Sequence, residues 1–116
     1  MIWLVFRWRP VKPGQSDRLR DFAQEVVGRR RHEFEASEQR IGLTREGWYL
    51  QPTPMGELVI IWVEGSDPAA ALGSFVQSQE SFDVWFKQEV EQITGVDLNQ
   101  PPDKMPEVLF DWSATS

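Results

Sequence analysis

The stretch at residues 57–63, Glu-Leu-Val-Ile-Ile-Trp-Val, constrains the fold more than any other part of the sequence. In a β-strand, successive side chains point to opposite faces of the sheet, so Val59, Ile61 and Val63 face one way and the alternate residues face the other. A sheet with one solvated face alternates apolar and polar residues, whereas this strand is apolar on both faces. We therefore predict that both faces of this strand are covered.

The first strand, predicted over residues 2–8, repeats the pattern with Ile2, Leu4 and Phe6 on one face and Trp3 and Val5 on the other. The chain provides enough helix to cover only one face of a sheet. A second copy is expected to cover the other, because an exposed apolar patch of that size is rare in monomers. The predicted interface of this obligate homodimer bears Ile2, Leu4, Phe6, Val59, Ile61 and Val63.

Composition and charge narrow the class of protein. A chain of 116 residues is predicted to form one domain, residues 1–116. No apolar run approaches the roughly 20 residues of a membrane-spanning helix, the start is too short for a signal peptide, and the chain has no Cys, so we expect a cytoplasmic protein. The net charge of −6 argues against nucleic-acid binding, which requires clustered basic residues.

The predicted elements alternate in the order β-α-β-β-α-(α)-β. Helices are expected over residues 16–38, 68–76 and 80–94, and strands over residues 2–8, 43–51, 57–63 and 107–112. This order is that of the ferredoxin-like α+β fold, a four-stranded antiparallel sheet with strand order 4-1-3-2 and helices on one face. The two strands that are apolar on both faces then occupy the middle of the sheet.

Arg30 is the most unusual charged residue of the long predicted helix. It lies near the middle of the apolar stripe, four residues after Val26 and four before Phe34, and Glu33 lies at the edge of that stripe. A buried Arg needs an anion or access to water. Two interpretations remain open: a structural ion pair with Glu33 or a side chain that reaches solvent, and a charged group in a ligand cleft.

No cofactor or metal site is predicted. His32 is the only histidine, and its angle on the helix places it on the solvated face, opposite the apolar stripe. Without Cys or a second His, the chain lacks the ligands of a transition-metal site. No glycine-rich phosphate-binding loop is present.

One face of the two central strands combines aromatic and charged residues. Trp3 and Trp62 share it with Arg7 and Glu64 if the strands pair in the usual register. Packing in a sheet covered on both faces accounts for such tryptophans. An aromatic wall with a few charged groups is also typical of a small-molecule cleft.

Several of these segments together resemble the dimeric α/β-barrel superfamily, which includes antibiotic-biosynthesis-type and haem-degrading monooxygenases. They are the strand ending in the turn at residues 12–14, the long helix, the strand Gly-Glu-Leu-Val-Ile-Ile-Trp at residues 56–62, and the helix start at Asp67-Pro68. The resemblance implies a homodimer whose two sheets pack into a barrel, with a cleft between sheet and helices in each subunit.

The resemblance also suggests site residues. The position just before the first turn, an Asn in several oxygenases of the group, corresponds to Arg7, and the cleft-lining positions of the third strand correspond to Trp62 and Glu64. The helix position of the haem-ligating His corresponds to Trp85 or Phe86, which argues against haem. With the residues of the long helix, the candidate ligand-binding set is Arg7, Arg30, Glu33, Trp62, Glu64 and Trp85.

Two functions are compatible with these residues. The first is a cofactor-independent, monooxygenase-like enzyme acting on a small aromatic or polyketide-like compound. The second is a non-catalytic dimeric module, binding a small molecule or related to stress, whose cleft only holds its ligand. Fold resemblance does not decide between them.

Overall fold

The computed structural model describes residues 2–101, 107–112 and 114, with side chains from Arg9 onward. These residues form an α+β domain with four helices and a three-stranded antiparallel sheet. The elements are β1 (Ile2–Pro10), α1 (Ser16–Val27), α2 (Arg31–Ile41), β2 (Leu43–Thr53), β3 (Gly56–Gly65), α3 (Pro68–Gln77) and α4 (Ser81–Thr94).

The strand order β1-β3-β2 matches the 1-3-2 part of the predicted order. The predicted fourth strand is not formed, because residues 107–112 lie in no strand and Leu109 and Phe110 are each 85% exposed. An apolar run has β-propensity, but it becomes a strand only where a sheet edge pairs with it.

The predicted helix over residues 16–38 is two helices that are separated at Gly28–Arg30. A Cβ atom on Gly28 would lie 2.6 Å from the carbonyl oxygen of Gln24, so only glycine permits this backbone path. The N–H of Arg30 donates to the carbonyl of Glu25, five residues earlier, at 2.9 Å. The prediction of one continuous helix was therefore wrong, because hydrophobic periodicity alone does not reveal a break at one glycine.

The core lies between the helices and one face of the sheet. Val59, Ile61 and Val63 are 1%, 6% and 1% exposed and belong to the same cluster as Phe22 and Phe86. Their assignment to an interface between two copies was wrong, because alternation shows which residues share a face but not which face the helices cover. The opposite side of the sheet, called the open face below, bears Leu58, Ile60 and Trp62 of β3 and Tyr49 of β2.

A β-bulge changes the register of β1. Leu4 pairs with Val63, but after an irregularity between Val5 and Arg7 it is Arg9 that pairs with Val59. Without the bulge, strict alternation from Leu4 would place Arg9 on the open face. Bulges re-aim side chains in this way and are frequent beside functional sites.

Candidate ligand cavity between helices and sheet

A cavity of about 210 Å³ lies between the helices and the helix-covered face of the sheet. An engineered cavity of about 150 Å³ binds benzene, so this volume admits a compound of one or two rings. Most of the wall is aliphatic or aromatic. Its lining includes Phe34, Ile41, Leu43, Trp48, Ile61, Val63, Leu72, Phe75, Val76, Phe82, Phe86, Val96, Leu98 and Pro101.

Two carboxyl groups from different elements meet in this wall. Glu38 lies on the stripe of α2 that also bears Phe34 and Ile41, and Glu46 lies on β2 opposite Val63. Their side chains are hydrogen-bonded to each other, and Trp48 Nε1 donates to Glu46 Oε2 at 2.6 Å. The side chains of Glu46 and Trp48 reach each other because residues two apart on a strand share a face.

This contact holds at least one proton on the pair at neutral pH. Burial, and then the negative charge of Glu46 and the hydrogen bond to it, raise the pKa of Glu38 to about 9. Burial also raises the pKa of Glu46, although hydrogen bonds from Glu38 and Trp48 oppose that shift. Two carboxyl groups in such contact cannot readily both ionise, so Glu38 is the protonated donor and Glu46 the acceptor.

Arg9 lines the same cavity from the end of β1. The bulge described above brings it onto the helix-covered face, opposite Val59. Its Nε is buried, and no acceptor among the described residues bonds to it. The cavity therefore contains a guanidinium group at one place and a carboxyl pair at another.

A second polar cluster lies beside the cavity and holds the helices together. Asp83 is fully buried and accepts hydrogen bonds from Ser37 Oγ at 2.5 Å, Ser78 Oγ at 2.5 Å and Arg40 at 2.7 Å. Burial alone would raise the pKa of Asp83, but these three hydrogen bonds outweigh it and lower the pKa below its usual range. Each donor comes from α2 or from the segment between α3 and α4, so the cluster is structural.

Lys87 completes the structural cluster. It is 1% exposed, and its Nζ donates to the carbonyl oxygens of Phe75, Val76 and Ser78 at 3.2, 3.1 and 2.9 Å. These are carbonyls at the C-terminal end of α3, where a helix leaves its acceptors unpaired. Burial lowers the pKa of Lys87, while the negative charge of Asp83 opposes the change.

Three of the sequence-predicted site residues lie together, but none of them lines the cavity. Arg30 contacts Glu25 at 2.8 Å and Glu33 at 3.4 Å, and its guanidinium carbon lies 4.2 Å from the centre of the Trp85 ring. This arrangement favours the structural ion pair over the charged cleft group.

The other predicted residues lie elsewhere. Trp62 and Glu64 alternate with the cavity-lining residues of β3 and lie on the open face, where Glu64 pairs with Arg45 at 3.4 Å. The side chain of Arg7 is outside the described part of the structure. His32 is exposed, as predicted, and within the described ranges no group of three or more His, Cys, Asp or Glu residues is placed to hold a metal ion.

Sequence reasoning missed Glu38, Glu46 and Arg9. A signal for Glu46 was present, because Glu46, Trp48 and Leu50 are spaced two apart and a carboxylate thus shares a face with two large apolar residues. Glu38 stands four residues after Phe34 and three before Ile41, which is also the spacing of one helix face. Arg9 had no such signal, since its face depends on the bulge.

Comparisons with known proteins found no match to this chain among family models, curated proteins or solved structures. In the described residues, no helix has the length and apolar character needed to cross a membrane.

Proposed function

We propose that this protein is an enzyme that binds a small aromatic or polyketide-like compound in the cavity and moves a proton between that compound and the Glu38–Glu46 pair. The observation that carries the proposal is the hydrogen-bonded carboxyl pair in an otherwise largely apolar cavity. Pockets of this kind, apolar with a few convergent polar groups, are the usual sites of small ligands.

The aromatic side chains set the class of ligand. Trp48, Phe75, Phe82 and Phe86 all line the cavity, and Phe86 packs edge-on to Trp48 and Phe75 with ring centres 5.6 and 5.5 Å apart. Flat aromatic walls favour a flat, largely apolar ligand, because aromatic rings pack best against other rings.

The carboxyl pair supplies both halves of an acid–base step. Glu46 takes a proton from a carbon next to a carbonyl group, which leaves an enolate, and Glu38 gives its proton to the enolate oxygen. The proton that Glu46 gained then passes to Glu38, which restores the pair. A carboxyl group with a raised pKa is suited to this role because its proton affinity is close to what neutral pH requires.

Cofactor-independent oxygenation is the narrower form of this proposal, and it starts from the same proton abstraction. Dioxygen is then the second substrate: the substrate anion reduces it and forms a C–O bond, which gives a peroxide on that carbon. The O–O bond then breaks, one oxygen atom stays in the product as a carbonyl group, and the other leaves as water with the two hydrogens that the substrate loses. The proposed substrate for this reaction is an aromatic or polyketide-like compound with an ionisable C–H or O–H group.

The proposal includes assembly as a dimer. The α+β topology and the strand order β1-β3-β2 are compatible with a ferredoxin-like subunit of a dimeric α/β barrel. The open face would form the contact, because it bears Leu58, Ile60 and Trp62 and because Tyr49 on it is 52% exposed. Two such faces packed together would cover the apolar side of each sheet.

The test uses 2-tetralone, a two-ring aromatic ketone, as the probe. Exchange of its α-hydrogens in D₂O is followed by NMR with wild-type protein, with Glu46→Gln and with Glu64→Gln, whose side chain lies on the open face. We expect wild type and Glu64→Gln to accelerate exchange equally, and Glu46→Gln to lose at least 100-fold of that acceleration.

A binding control separates catalysis from occupancy. Val76→Trp fills the cavity and should abolish the quenching of tryptophan fluorescence by 2-tetralone, whereas Val27→Trp adds the same ring at a position 62% exposed on α1 and should not. Binding without accelerated exchange would overturn the catalytic proposal in favour of a non-catalytic binding module. Equal binding by both variants would overturn the cavity as the site.

A further inference from the structure

Arg9 carries a buried polar atom that has no partner among the residues that the structure describes. This atom is the side-chain Nε, and Arg9 is one of the residues that line the cavity. Buried polar atoms in folded proteins are nearly always paired, and an exception needs a physical explanation. An acceptor atom of a ligand would supply the missing partner.

The register of the sheet places Arg9 far from the carboxyl pair. Arg9 lies opposite Val59 and Glu46 lies opposite Val63, on the two strands that flank β3. Four residues of strand span roughly 13 Å, and two strand spacings add roughly 10 Å across the sheet. The two groups therefore face different ends of the cavity, and one ligand atom does not reach both.

The cavity wall contains carboxyl groups as well as Arg9. Glu38 and Glu46 carry at most one negative charge between them, and they are hydrogen-bonded to each other. Asp97, also in the wall, is exposed and accepts from the backbone N–H and the side chain of Asn99. None of these carboxylates pairs with Arg9 within the described residues. A guanidinium group binds a carboxylate through two parallel hydrogen bonds, better than it binds a neutral oxygen.

We propose that Arg9 is the specificity-determining residue of this site and that the ligand is an aromatic or polyketide-like acid whose carboxylate binds Arg9 while its other end reaches Glu46. The inference rests on the proposed function, since it assigns the substrate class of the same cavity. Arg9 does not touch the reacting atoms in this arrangement. The bulge in β1 places Arg9 on the side of the sheet that faces the cavity.

The experiment compares 2-naphthoate with 2-naphthamide, two probes of the same shape that differ in charge. Their affinities are measured by calorimetry at pH 7.5 with wild type, Arg9→Gln, Arg9→Lys and Arg20→Gln. Arg20 is the matched control because its side chain is 56% exposed on α1 and does not line the cavity. We expect wild type and Arg20→Gln to bind naphthoate at least tenfold more tightly than naphthamide.

Arg9→Gln should lose that preference by weakening naphthoate alone, and Arg9→Lys should retain part of it. Because Arg9 Nε has no partner to lose, Arg9→Gln should melt no lower than wild type. If wild type binds both probes equally, or if Arg9→Gln keeps the preference, the assignment of Arg9 is wrong while the cavity stands. If neither probe binds and 2-tetralone does not bind either, the proposed function fails with it.

Discussion

Glu38 of α2 donates a hydrogen bond to the carboxylate of Glu46 on β2, and this contact joins a helix to the sheet through a shared proton. The contact is favourable only while the proton is present. If both groups were charged, two buried carboxylates would repel each other in a wall with little water to screen them. The stability of the fold therefore depends on pH through the Glu38–Glu46 contact.

Glu38→Gln is the first prediction. The pKa of Glu38 is about 9 in the folded chain and near 4.5 when unfolded, so between these values the folded state holds more protons. The free energy of unfolding of wild type should thus fall as pH rises through this window. Glutamine donates the same hydrogen bond without titrating, so the variant should melt about 4 °C or more above wild type at pH 8.5 and show a flatter profile.

The control for that comparison is Glu35→Gln. Glu35 lies on the same helix but is exposed and pairs with Arg31. Its profile should run parallel to that of wild type in thermal melts from pH 5 to 9. A wild-type profile that rises across this window, or one that Glu38→Gln leaves unchanged, would show that Glu38 titrates normally.

Arg30→Ala is the second prediction. The Arg30 side chain is 24% exposed, and its guanidinium group pairs with Glu25 and Glu33 and stacks on Trp85. Its removal should lower the free energy of unfolding by about 1–2 kcal/mol. Arg29 and Arg31 are 73% and 67% exposed, and alanine there should cost under about 0.5 kcal/mol. Urea denaturation of the three variants gives the comparison, and three equal midpoints would refute the role of Arg30.

The sequence predicted the layout of the sheet better than its faces. The order of the elements along the chain, together with the handedness of crossover connections, sufficed for the order of the three strands. Whether the helices cover Val59, Ile61 and Val63 or the alternate residues is a tertiary choice that periodicity does not encode. Because the wrong face of β3 was assigned to the helices, the predicted site included Trp62 and Glu64, which lie on the open face.

The polar part of the cavity illustrates a second limit. Glu38 and Glu46 are eight residues apart but lie on different elements, and each by itself resembles a solvent-exposed glutamate. Their contact depends on the packing of α2 against β2. The position of Arg9 on the helix-covered face depends on a one-residue bulge in β1. Both features come from packing between elements, which spacing within one element does not reveal.

Lys87→Met is the third prediction. Methionine keeps the apolar stem of the side chain but leaves the last carbonyls of α3 without their donor and removes the positive charge near Asp83. We expect a loss of about 3 kcal/mol in the free energy of unfolding. Gln88→Met, at the neighbouring exposed position of α4, should be close to neutral in the same denaturation experiment.

Hydrogen exchange distinguishes a local effect of Lys87→Met on α3 from a general loss of stability. Amides of α3 should lose protection in Lys87→Met more than amides of β3 do, because the lost contacts hold the end of α3. Uniform loss across both elements would mean that Lys87 does not act on α3 in particular.

The last prediction concerns the open face. In the proposed dimer, Trp62 and Tyr49 lie in the contact between two sheets, so light scattering of wild type at micromolar concentration should give twice the chain mass of 13.5 kDa. Trp62→Arg should reduce the mass to that of one chain, because a buried, unpaired charge in an interface is costly. Tyr49→Arg is the second variant, since Tyr49 is already 52% exposed in the single chain and its replacement should leave the fold intact. Val27→Arg, on the exposed side of α1, should remain dimeric.

A wild-type mass of one chain would contradict the dimer. A dimer that survives both open-face variants would place the contact on another surface.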